Sequence, residues 1–278
     1  MLVVIGDLVA DLIVLGSARL AHGTDNPAEV RLTRGGSAAN VAVAAAREGC
    51  AVRFIGRVGD DTLGTTLVRE LEAAGVDARV QRAGRTGAIV ILVDDEGERT
   101  MITDRGAAAE LEAVDPTWVD GARIVHVPLY GFADEGSRRA LLAAVGTARG
   151  HGIPLSLDLS STATMRVLGT ELLAELLDAL APDVVFANAD EAALVTELGL
   201  VVNGAYVVKR GGDPVVVSID GASLEVPVVR EDVVDSTGAG DAFAAGFLVA
   251  TLDGSDAVSA ARAGIELARA ALHRPGAL

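Results

Sequence analysis

Aromatic side chains, lysine and cysteine are all scarce in this sequence of 278 residues. Phe, Trp and Tyr make up 3% of the chain, whereas hydrophobic residues as a whole make up 50%. The core must therefore be built from Ala, Val, Leu and Ile, which pack through small aliphatic contacts. The single cysteine, Cys50, cannot form an internal disulfide, and we expect a buried structural thiol in a reducing compartment.

Positive charge is also scarce, since the formal net charge is -16. Nucleic acids and acidic membranes are bound by clustered Lys and Arg, so the sequence argues against both as partners. Lys209 is the only lysine, and a nucleotide would depend on amide groups, a few arginines and a metal ion. A basic leader and a long uncharged stretch are both absent, so we expect a soluble, cytoplasmic protein.

Several common nucleotide-binding and catalytic motifs are missing. The sequence contains no GxGxxG, and Lys209 does not follow the glycines of a GxxxxGK[ST] loop, which removes the main support for a dinucleotide dehydrogenase or a Walker-type NTPase. The four histidines lack metal-ligand spacing, and no serine lies in a GxSxG elbow. Neither a zinc site nor an α/β-hydrolase is indicated.

The second half of the chain alternates short apolar runs with helical segments. Its predicted elements are strand 124–127, helix 135–149, strand 155–157, helix 171–180, strand 184–186, helix 190–198, strands 206–208, 215–219 and 224–229, and helix 255–272. This rhythm predicts a mostly parallel sheet covered by helices on both faces. Two hairpins, at about 12–34 and 86–104, interrupt a first half that otherwise reads as helical, and we expect them to form one small separate sheet that acts as a lid.

A carboxylate follows the first predicted strand, which covers residues 2–5. Asp11 lies just beyond this strand, and open α/β sheets bind ligands at the carboxyl ends of their central strands. Asp11 is therefore a candidate for holding a polar substrate. The alternative is that Asp11 is an ordinary turn aspartate.

A glycine pair opens an Ala-rich predicted helix at residues 34–40, which read RGGSAAN. Gly35 and Gly36 permit close backbone approach to a ligand, and Ser37 can cap the helix. Asn40 would lie on the first helical turn, near the same ligand. The alternative is an ordinary capped helix.

A second glycine turn, DSTGAGD at residues 235–241, precedes another small-residue helix. Gly238 and Gly240 let backbone amides approach a ligand, and the helix that follows carries a partial positive charge at its amino end. Together these features predict an anion site. Asp241 is either a helix cap or a base held beside the group that is transferred.

These stretches, in this order along the whole chain, resemble the ribokinase family of carbohydrate kinases, also called the PfkB family. The resemblance rests on the strand end at 6–11, on GGSAAN, on NADE at 188–191 and on DSTGAGD. It implies one α/β domain over residues 1–278, ribokinase-like and three-layered (α/β/α), with a mostly parallel central sheet and a small β-sheet lid. It also implies ATP-dependent phosphorylation of a hydroxymethyl group.

The resemblance assigns roles to particular residues. Asp241 would be the general base, beside an anion hole formed by Gly238, Ala239 and Gly240. The sugar hydroxyls would be bound by Asp11, Gly35, Gly36 and Asn40. The nucleotide and ion ligands would be Asn188, Lys209, Gly211 and Thr237 for ATP, Glu191 for Mg²⁺ through water, and Asp235 with Thr237 for K⁺ in some members. For Asn188 and Glu191, a helix cap with a first-turn acid is the alternative.

Two departures from the family pattern bear on the substrate. Residues 158–162 read DLSST where many fructokinase-like and ketodeoxygluconate-kinase-like members have DxNxR, which argues against those acceptors. The sequence also stops close to the loop that helps form the family's adenine pocket, so we expect other residues to complete that pocket or to leave it open.

The acceptor and the assembly have several interpretations. A small sugar is the first expectation, and a nucleoside or a phosphosugar bound by Arg105 and Arg166 are alternatives within the same chemistry. A catalytically silent sugar-binding or regulatory protein is the alternative from another class. Related proteins often dimerise through their lids, and the strand 88–93 is apolar on both faces, so we expect a homodimer formed through the lid.

Overall fold

The structure, a computed structural model, describes residues 1–16, 20–94, 99–230 and 237–273. Its helices are α1 Ser37–Arg47, α2 Thr62–Ala73, α3 Glu135–Gly150, α4 Thr162–Leu180, α5 Ala189–Glu197, α6 Ala239–Leu252 and α7 Ala257–Leu272. Its strands are β1 Leu2–Ile5, β2 Val9–Leu15, β3 Glu29–Gly35, β4 Val52–Val58, β5 Asp77–Arg82, β6 Thr86–Val93, β7 Arg99–Gly106, β8 Ile124–Pro128, β9 Leu155–Asp158, β10 Val184–Asn188, β11 Ala205–Arg210, β12 Asp213–Ile219 and β13 Ala222–Val226.

The main sheet has nine strands in the order β13-β12-β11-β10-β9-β8-β1-β4-β5. The strands from β11 to β5 pair in parallel, whereas β12 and β13 form an antiparallel edge. The mostly parallel sheet is therefore confirmed. The expectation that the first half is otherwise helical was wrong, because β4 and β5 both lie there. Arg53, Gly56 and Arg57 interrupt the apolar run in β4 and hide its strand pattern.

Two apolar cores, one on each face of the main sheet, make the structure three-layered. In β1, Leu2 and Val4 contact the core that contains α1, α6 and α7, whereas Val3 and Ile5 contact the core that contains α3 and α4. This alternation is the expected consequence of the two-residue period of a strand. None of the helices in the described ranges has the length and apolar character needed to cross a membrane.

The two predicted hairpins form one small sheet, the lid sheet, with the strand order β3-β2-β6-β7. Each hairpin is antiparallel, and β2 and β6 join them in parallel. The strands begin at Val9 and end at Gly106, slightly beyond the predicted limits. The separate sheet is confirmed, and its action as a lid stays a prediction.

Small residues allow α6 and α7 to pack closely behind the main sheet. A methyl group added to Gly264 in α7 would lie 2.8 Å from the carbonyl oxygen of Phe243 in α6. On the α6 side, a methyl group at Gly246 would lie 2.8 Å from the carbonyl oxygen of Ala263. These distances are shorter than van der Waals contact, so the spacing of the two helices requires glycine at both positions.

The variant Gly264→Ala should therefore be less stable, by about 1–3 kcal/mol, because its methyl group would overpack the contact with α6. Equilibrium urea unfolding measures the change. The matched control is Gly146→Ala in α3, where no atom lies within 4 Å of the new methyl group. The control should gain up to about 1 kcal/mol. Equal stability of Gly264→Ala and the unaltered chain would contradict the close packing.

Candidate active site

A cleft of about 1020 Å³ lies at the carboxyl ends of the central strands and is also lined by the lid sheet. The lid contributes Asp11, Ile89, Ile91 and Met101, whereas β9, β10 and β11 contribute Asp158, Asn188 and Lys209. The predicted site residues that line it are Asp11, Gly36, Asn40, Asn188, Glu191, Lys209, Gly211, Thr237, Gly238, Ala239, Gly240 and Asp241. Gly35 is not among the lining residues, and Asp235 lies outside the described residues.

The glycine pair before α1 brings the backbone close to two aspartates. A methyl group at Gly36 would lie 2.3 Å from the carbonyl oxygen of Asp7, and the φ angle of Gly36 is 99°, a left-handed value. A methyl group at Gly35 would lie 2.0 Å from Oδ1 of Asp11. Any larger residue would displace these aspartates, so Gly35 acts on the site through Asp11.

Asp241 lies in the first turn of α6 but does not cap the helix. The N-cap residue is Gly238, with φ at 75° and no side-chain capping bond, so the capping alternative was wrong. The Asp241 carboxylate instead accepts hydrogen bonds from Ser37 Oγ (2.7 Å) and Asn40 Nδ2 (2.9 Å). The expectation that Ser37 caps α1 was also wrong, because Gly36 is the N-cap and α1 has no side-chain cap.

Burial raises the pKa of Asp241 to about 6, and the negative charge of Asp158 acts in the same direction. The hydrogen bonds from Ser37 and Asn40 and the charge of Lys209 oppose this rise. At neutral pH the carboxylate is ionised for most of the time. Its basicity is nevertheless higher than that of an exposed aspartate, which suits a group that must accept a proton.

The amino end of α6 provides an electropositive surface beside Asp241. The first N–H groups of a helix have no partner within it, and the helix dipole adds partial positive charge there. α6 begins at Ala239, directly after the left-handed Gly238. An added methyl group at Gly240 would lie 3.4 Å from Nζ of Lys209, so the ammonium group lies next to this turn.

Lys209 and Asp158 form an ion pair in the floor of the cleft, with 2.8 Å between Nζ and Oδ2. The Lys209 side chain is 16% exposed and that of Asp158 is 8% exposed. Burial alone would lower the pKa of Lys209, but the charge and hydrogen bond of Asp158 raise it overall. Sequence reasoning missed Asp158 as a site residue. The sequence could have indicated Asp158 as a site residue, because it is an acid at the carboxyl end of a buried central strand.

Asn188 and Glu191 form the capping box that was their alternative interpretation. Asn188 Oδ1 accepts a hydrogen bond from the backbone N–H of Glu191. In return, the backbone N–H and the Nδ2 group of Asn188 each donate to one carboxylate oxygen of Glu191, and all three distances are 2.8 Å. Glu191 is 2% exposed. Burial, followed by the charge of Asp158, raises its pKa to about 7. Mg²⁺ binding by Glu191 stays a prediction.

Asp11 is buried in the cleft wall and has an unused acceptor. Its Oδ1 is buried and has no hydrogen-bond partner. Burial raises the pKa of Asp11 to about 6, against the opposing charge of Arg34. A buried acceptor without a donor is unfavourable, so Asp11 has the capacity to accept a further hydrogen bond.

The two arginines considered for a phosphosugar differ in their surroundings. Arg105 lines the cleft and is not a solvated surface residue, since its guanidinium bonds both oxygens of Asp7 (2.7 and 2.8 Å) and also pairs with Asp134. Two carboxylates already surround this charge, which weakens its attraction for a phosphate. Arg166 is exposed and does not line the cleft.

The far end of the cleft, beyond Lys209, has an aliphatic patch among charged residues that include Arg210, Asp213 and Arg269. β12 contributes Val215, and α7 contributes Ile265, Ala268 and Leu272. Val228 also lines this end. A flat apolar ring would bury its faces against these side chains.

A comparison with known proteins identifies the family of this chain. The sequence profile described as pfkB family carbohydrate kinase matches residues 1–278. The chain belongs to the pfkB family of carbohydrate kinases. The resemblance inferred from the sequence is therefore confirmed, and so is the enzyme class.

Curated relatives of this pfkB kinase include several sugar kinases. A protein named ATP-dependent ribose-1-phosphate kinase from Halopiger xanaduensis is 37% identical over 245 residues, which cover 84% of this chain and 79% of the relative. A fructokinase from Klebsiella pneumoniae is 31% identical over 262 residues, which cover 88% of this chain and 82% of the relative.

Solved structures agree with the ribokinase-like fold. Adenosine kinase from Sinorhizobium meliloti superimposes with a TM-score of 0.86 at 26% identity and covers 99% of this chain and 94% of its own. A sugar kinase from Pyrococcus horikoshii, solved in complex with ATP, superimposes with a TM-score of 0.85 at 24% identity. The match covers 100% of this chain and 94% of the Pyrococcus horikoshii chain. The second likeness concerns the fold alone.

The ion pair in the cleft floor should stabilise the fold as well as the site. Lys209→Met leaves Asp158 buried without its partner, so we expect a loss of about 3 kcal/mol in the free energy of unfolding. Urea unfolding at neutral pH measures it. The exposed pair of Glu135 and Arg139 in α3 is the control, where Arg139→Met should change stability by less than about 0.5 kcal/mol. Similar small changes in both variants would contradict a buried pair.

Proposed function

We propose that this pfkB kinase transfers the γ-phosphoryl group of ATP to a hydroxymethyl group of a small sugar, with Asp241 as the general base. The observation that carries the proposal is the environment of the Asp241 carboxylate. Ser37 and Asn40 hold it at the amino end of α6, beside N–H groups that suit a phosphate. Asp11, with its unused acceptor, lines the same cleft.

The proposed reaction is an in-line displacement. The acceptor oxygen forms a bond to the γ-phosphorus as the bond from phosphorus to the β,γ-bridging oxygen breaks, and ADP leaves with that electron pair. The acceptor proton goes to Asp241. Its pKa of about 6 leaves the carboxylate able to accept a proton at neutral pH. Phosphoryl transfer requires mainly positioning and charge stabilisation, which a rigid helix end supplies.

Charge on the transferred group would be stabilised by backbone amides and one ammonium group. The amides of Gly238, Ala239 and Gly240 lie at the amino end of α6, and Nζ of Lys209 lies beside Gly240. Fixed donors in a cleft that excludes water stabilise developing charge more strongly than water does. These four residues form the proposed anion hole.

Magnesium would bind near Glu191 and Asn188. Among the described residues, no group of three or more His, Cys, Asp or Glu side chains has the geometry of a metal site. Both Glu191 and Asn188 line the cleft, and each Glu191 oxygen accepts one hydrogen bond from Asn188 and keeps a second lone pair for a water of a hydrated cation. Mg²⁺ would neutralise phosphate charge. A K⁺ site at Thr237 and Asp235 is part of the proposal, and Asp235 lies outside the described residues.

The adenine ring of ATP would occupy the aliphatic patch at the far end of the cleft. Lys209, Gly211 and Thr237 would contact its phosphates and ribose, and the ring would pack between Val215 and Ile265. Burial of a flat apolar ring between such side chains is favourable. This arrangement would complete the adenine pocket with residues of β12 and α7.

A small sugar is the favoured acceptor and a nucleoside is the second candidate. The apolar side chains that β6 and β7 present to the cleft, Ile89, Ile91 and Met101, provide no aromatic platform for a base, and the aromatic residues that line the cleft, Tyr130 and Phe243, lie outside the lid sheet. The relatives named ribose-1-phosphate kinase and fructokinase also support a sugar. ADP release with a panel of pentoses, hexoses, phosphosugars and nucleosides identifies the acceptor.

The variant Asp241→Asn should lose turnover by at least about 100-fold, because an amide of nearly the same shape cannot accept the proton. ADP release with ATP, Mg²⁺ and the best acceptor measures it. Asp253→Asn, at the opposite end of α6, is the matched control and should keep full turnover. The kcat of the unaltered enzyme should also fall as pH drops below about 6, where Asp241 takes up a proton.

Two outcomes of this experiment would contradict the proposal. Turnover that survives in Asp241→Asn would show that another group accepts the proton. A chain that releases no ADP with any acceptor would instead support the catalytically silent sugar-binding or regulatory protein.

We further propose that the chain forms a homodimer through the outer face of the lid sheet. Val30, Leu32 and Ile102 are exposed on this face, opposite the one that buries Ile13 and Ile91 against the cleft side. The exposed side chains belong to one continuous sheet, so a second copy of the same sheet could cover them by symmetry.

The variant Leu32→Glu should convert the dimer into a monomer, because it places a charge within the proposed apolar interface. Sedimentation velocity at micromolar concentration measures the mass. Val201→Glu, at an exposed position outside the lid sheet, is the control and should leave a dimer. A monomeric mass for the unaltered chain would overturn this assembly.

A further inference from the structure

A buried arginine of the lid sheet contacts the residue that holds the proposed base. Arg34 is the penultimate residue of β3 and is 6% exposed. Its Nη1 donates a hydrogen bond to Oδ1 of Asn40 at 2.8 Å. Asn40 Nδ2 in turn donates to Oδ2 of Asp241 at 2.9 Å. A chain of hydrogen bonds therefore connects a lid strand to the Asp241 carboxylate.

The chemistry of this chain fixes the orientation of Asn40. A guanidinium group has only donors, and a carboxylate has only acceptors. Arg34 therefore requires the carbonyl oxygen of the Asn40 amide, and the amide nitrogen must point to Asp241. Without the guanidinium, the amide could rotate by half a turn and place its oxygen against the carboxylate, where it would be repelled and would donate nothing.

The charge of Arg34 acts on the same carboxylates. Burial lowers the pKa of Arg34 to about 10, and the charge of Arg47 acts in the same direction, whereas Glu70, Asp241 and Asp11 oppose it. The guanidinium thus stays protonated at neutral pH. Burying it away from water is unfavourable unless its hydrogen bonds compensate, so its presence requires a specific partner.

The strand pairing ties Arg34 to the position of the lid. Arg34 pairs with Ala10 in β2, and the neighbouring pair joins Thr33 to Asp11. A shift of the lid sheet would therefore move both the proposed sugar ligand Asp11 and the hydrogen bond to Asn40. The two proposed functions of this end of the cleft, holding the acceptor and orienting the base, depend on the paired strands β2 and β3.

We propose that Arg34 is a positioning residue that couples the lid sheet to the Asp241 carboxylate through the amide of Asn40. The proposal rests on the proposed function, in which Asp241 accepts the proton of the acceptor. Arg34 does not line the cleft and does not touch the reacting atoms. Its contribution is the orientation and the charge balance of the groups that do.

The experiment compares Arg34→Met and Arg34→Lys with the unaltered kinase. Arg34→Met should lower kcat about tenfold or more, because a small displacement of a catalytic group lowers the rate steeply. The KM for ATP should stay unchanged. The acid limb of the kcat–pH profile should move to higher pH, because Asp241 loses a donor and a nearby positive charge. Arg34→Lys keeps the positive charge and can still donate a hydrogen bond, so it should recover part of both effects.

A matched control and a double variant separate this coupling from a structural role. Arg31→Met removes an exposed arginine from the same strand and should leave kcat within about twofold, since the ion pair of Arg31 with Glu29 is exposed to solvent. Arg34→Met added to Asn40→Ala should lower kcat little further than Asn40→Ala alone, because Arg34 acts through Asn40.

The proposal is overturned if Arg34→Met leaves kcat and the acid limb unchanged, even when its melting temperature falls. It is also overturned if the fold-losses in kcat of the two single variants multiply in the double variant. If Arg34→Met fails to fold, the same comparisons are made with Arg34→Lys, alone and combined with Asn40→Ala. Absence of turnover in the unaltered chain would contradict the proposed function and this coupling together, whereas loss of the coupling alone leaves the proposed function standing.

Discussion

The proposed function depends on one constraint, which is that a partly buried carboxylate remains ionised next to a helix end that suits a phosphate. Burial alone would favour the protonated form of Asp241. Two donors from α1, Ser37 and Asn40, oppose this tendency through hydrogen bonds of 2.7 and 2.9 Å. The amino ends of α1 and α6 must therefore meet, although about 200 residues separate them in sequence.

The composition explains how the two helix ends come together. Helix α1 is rich in alanine, and α6 packs against both α1 and α7. Small side chains allow short distances between helix axes, and the glycines at 246 and 264 bring the backbones of α6 and α7 closer still. The scarcity of aromatic residues in the sequence is consistent with a core that packs through small side chains. Phe186, which contacts both Phe243 and Phe247 edge-on, is an exception at the centre.

Much of the fold and part of the site could be predicted from the sequence, because strand and helix periods and glycine turns are local signals. The second half, the lid hairpins and the two glycine-rich helix starts were recognisable in this way. Strands β4 and β5 were missed, since arginines and a glycine interrupt the apolar run of β4. The partners of Ser37 and Asp158 could not be predicted, because each pairs with a residue that only tertiary structure brings near. The contact of Arg34 with Asn40, six residues away, depends on how the chain turns between β3 and α1. Ser37, for example, has the local signature of a helix cap, yet its hydroxyl bonds Asp241.

The central claim is that the acceptor hydroxyl, Asp241 and the γ-phosphate meet at the amino end of α6. A crystal structure with the acceptor and a non-hydrolysable ATP analogue tests it most directly. The account predicts the attacking oxygen within about 3.2 Å of the Asp241 carboxylate and the γ-phosphate against the amides that follow Gly238. An acceptor whose hydroxyl lies away from Asp241, or a γ-phosphate bound elsewhere in the cleft, would contradict it.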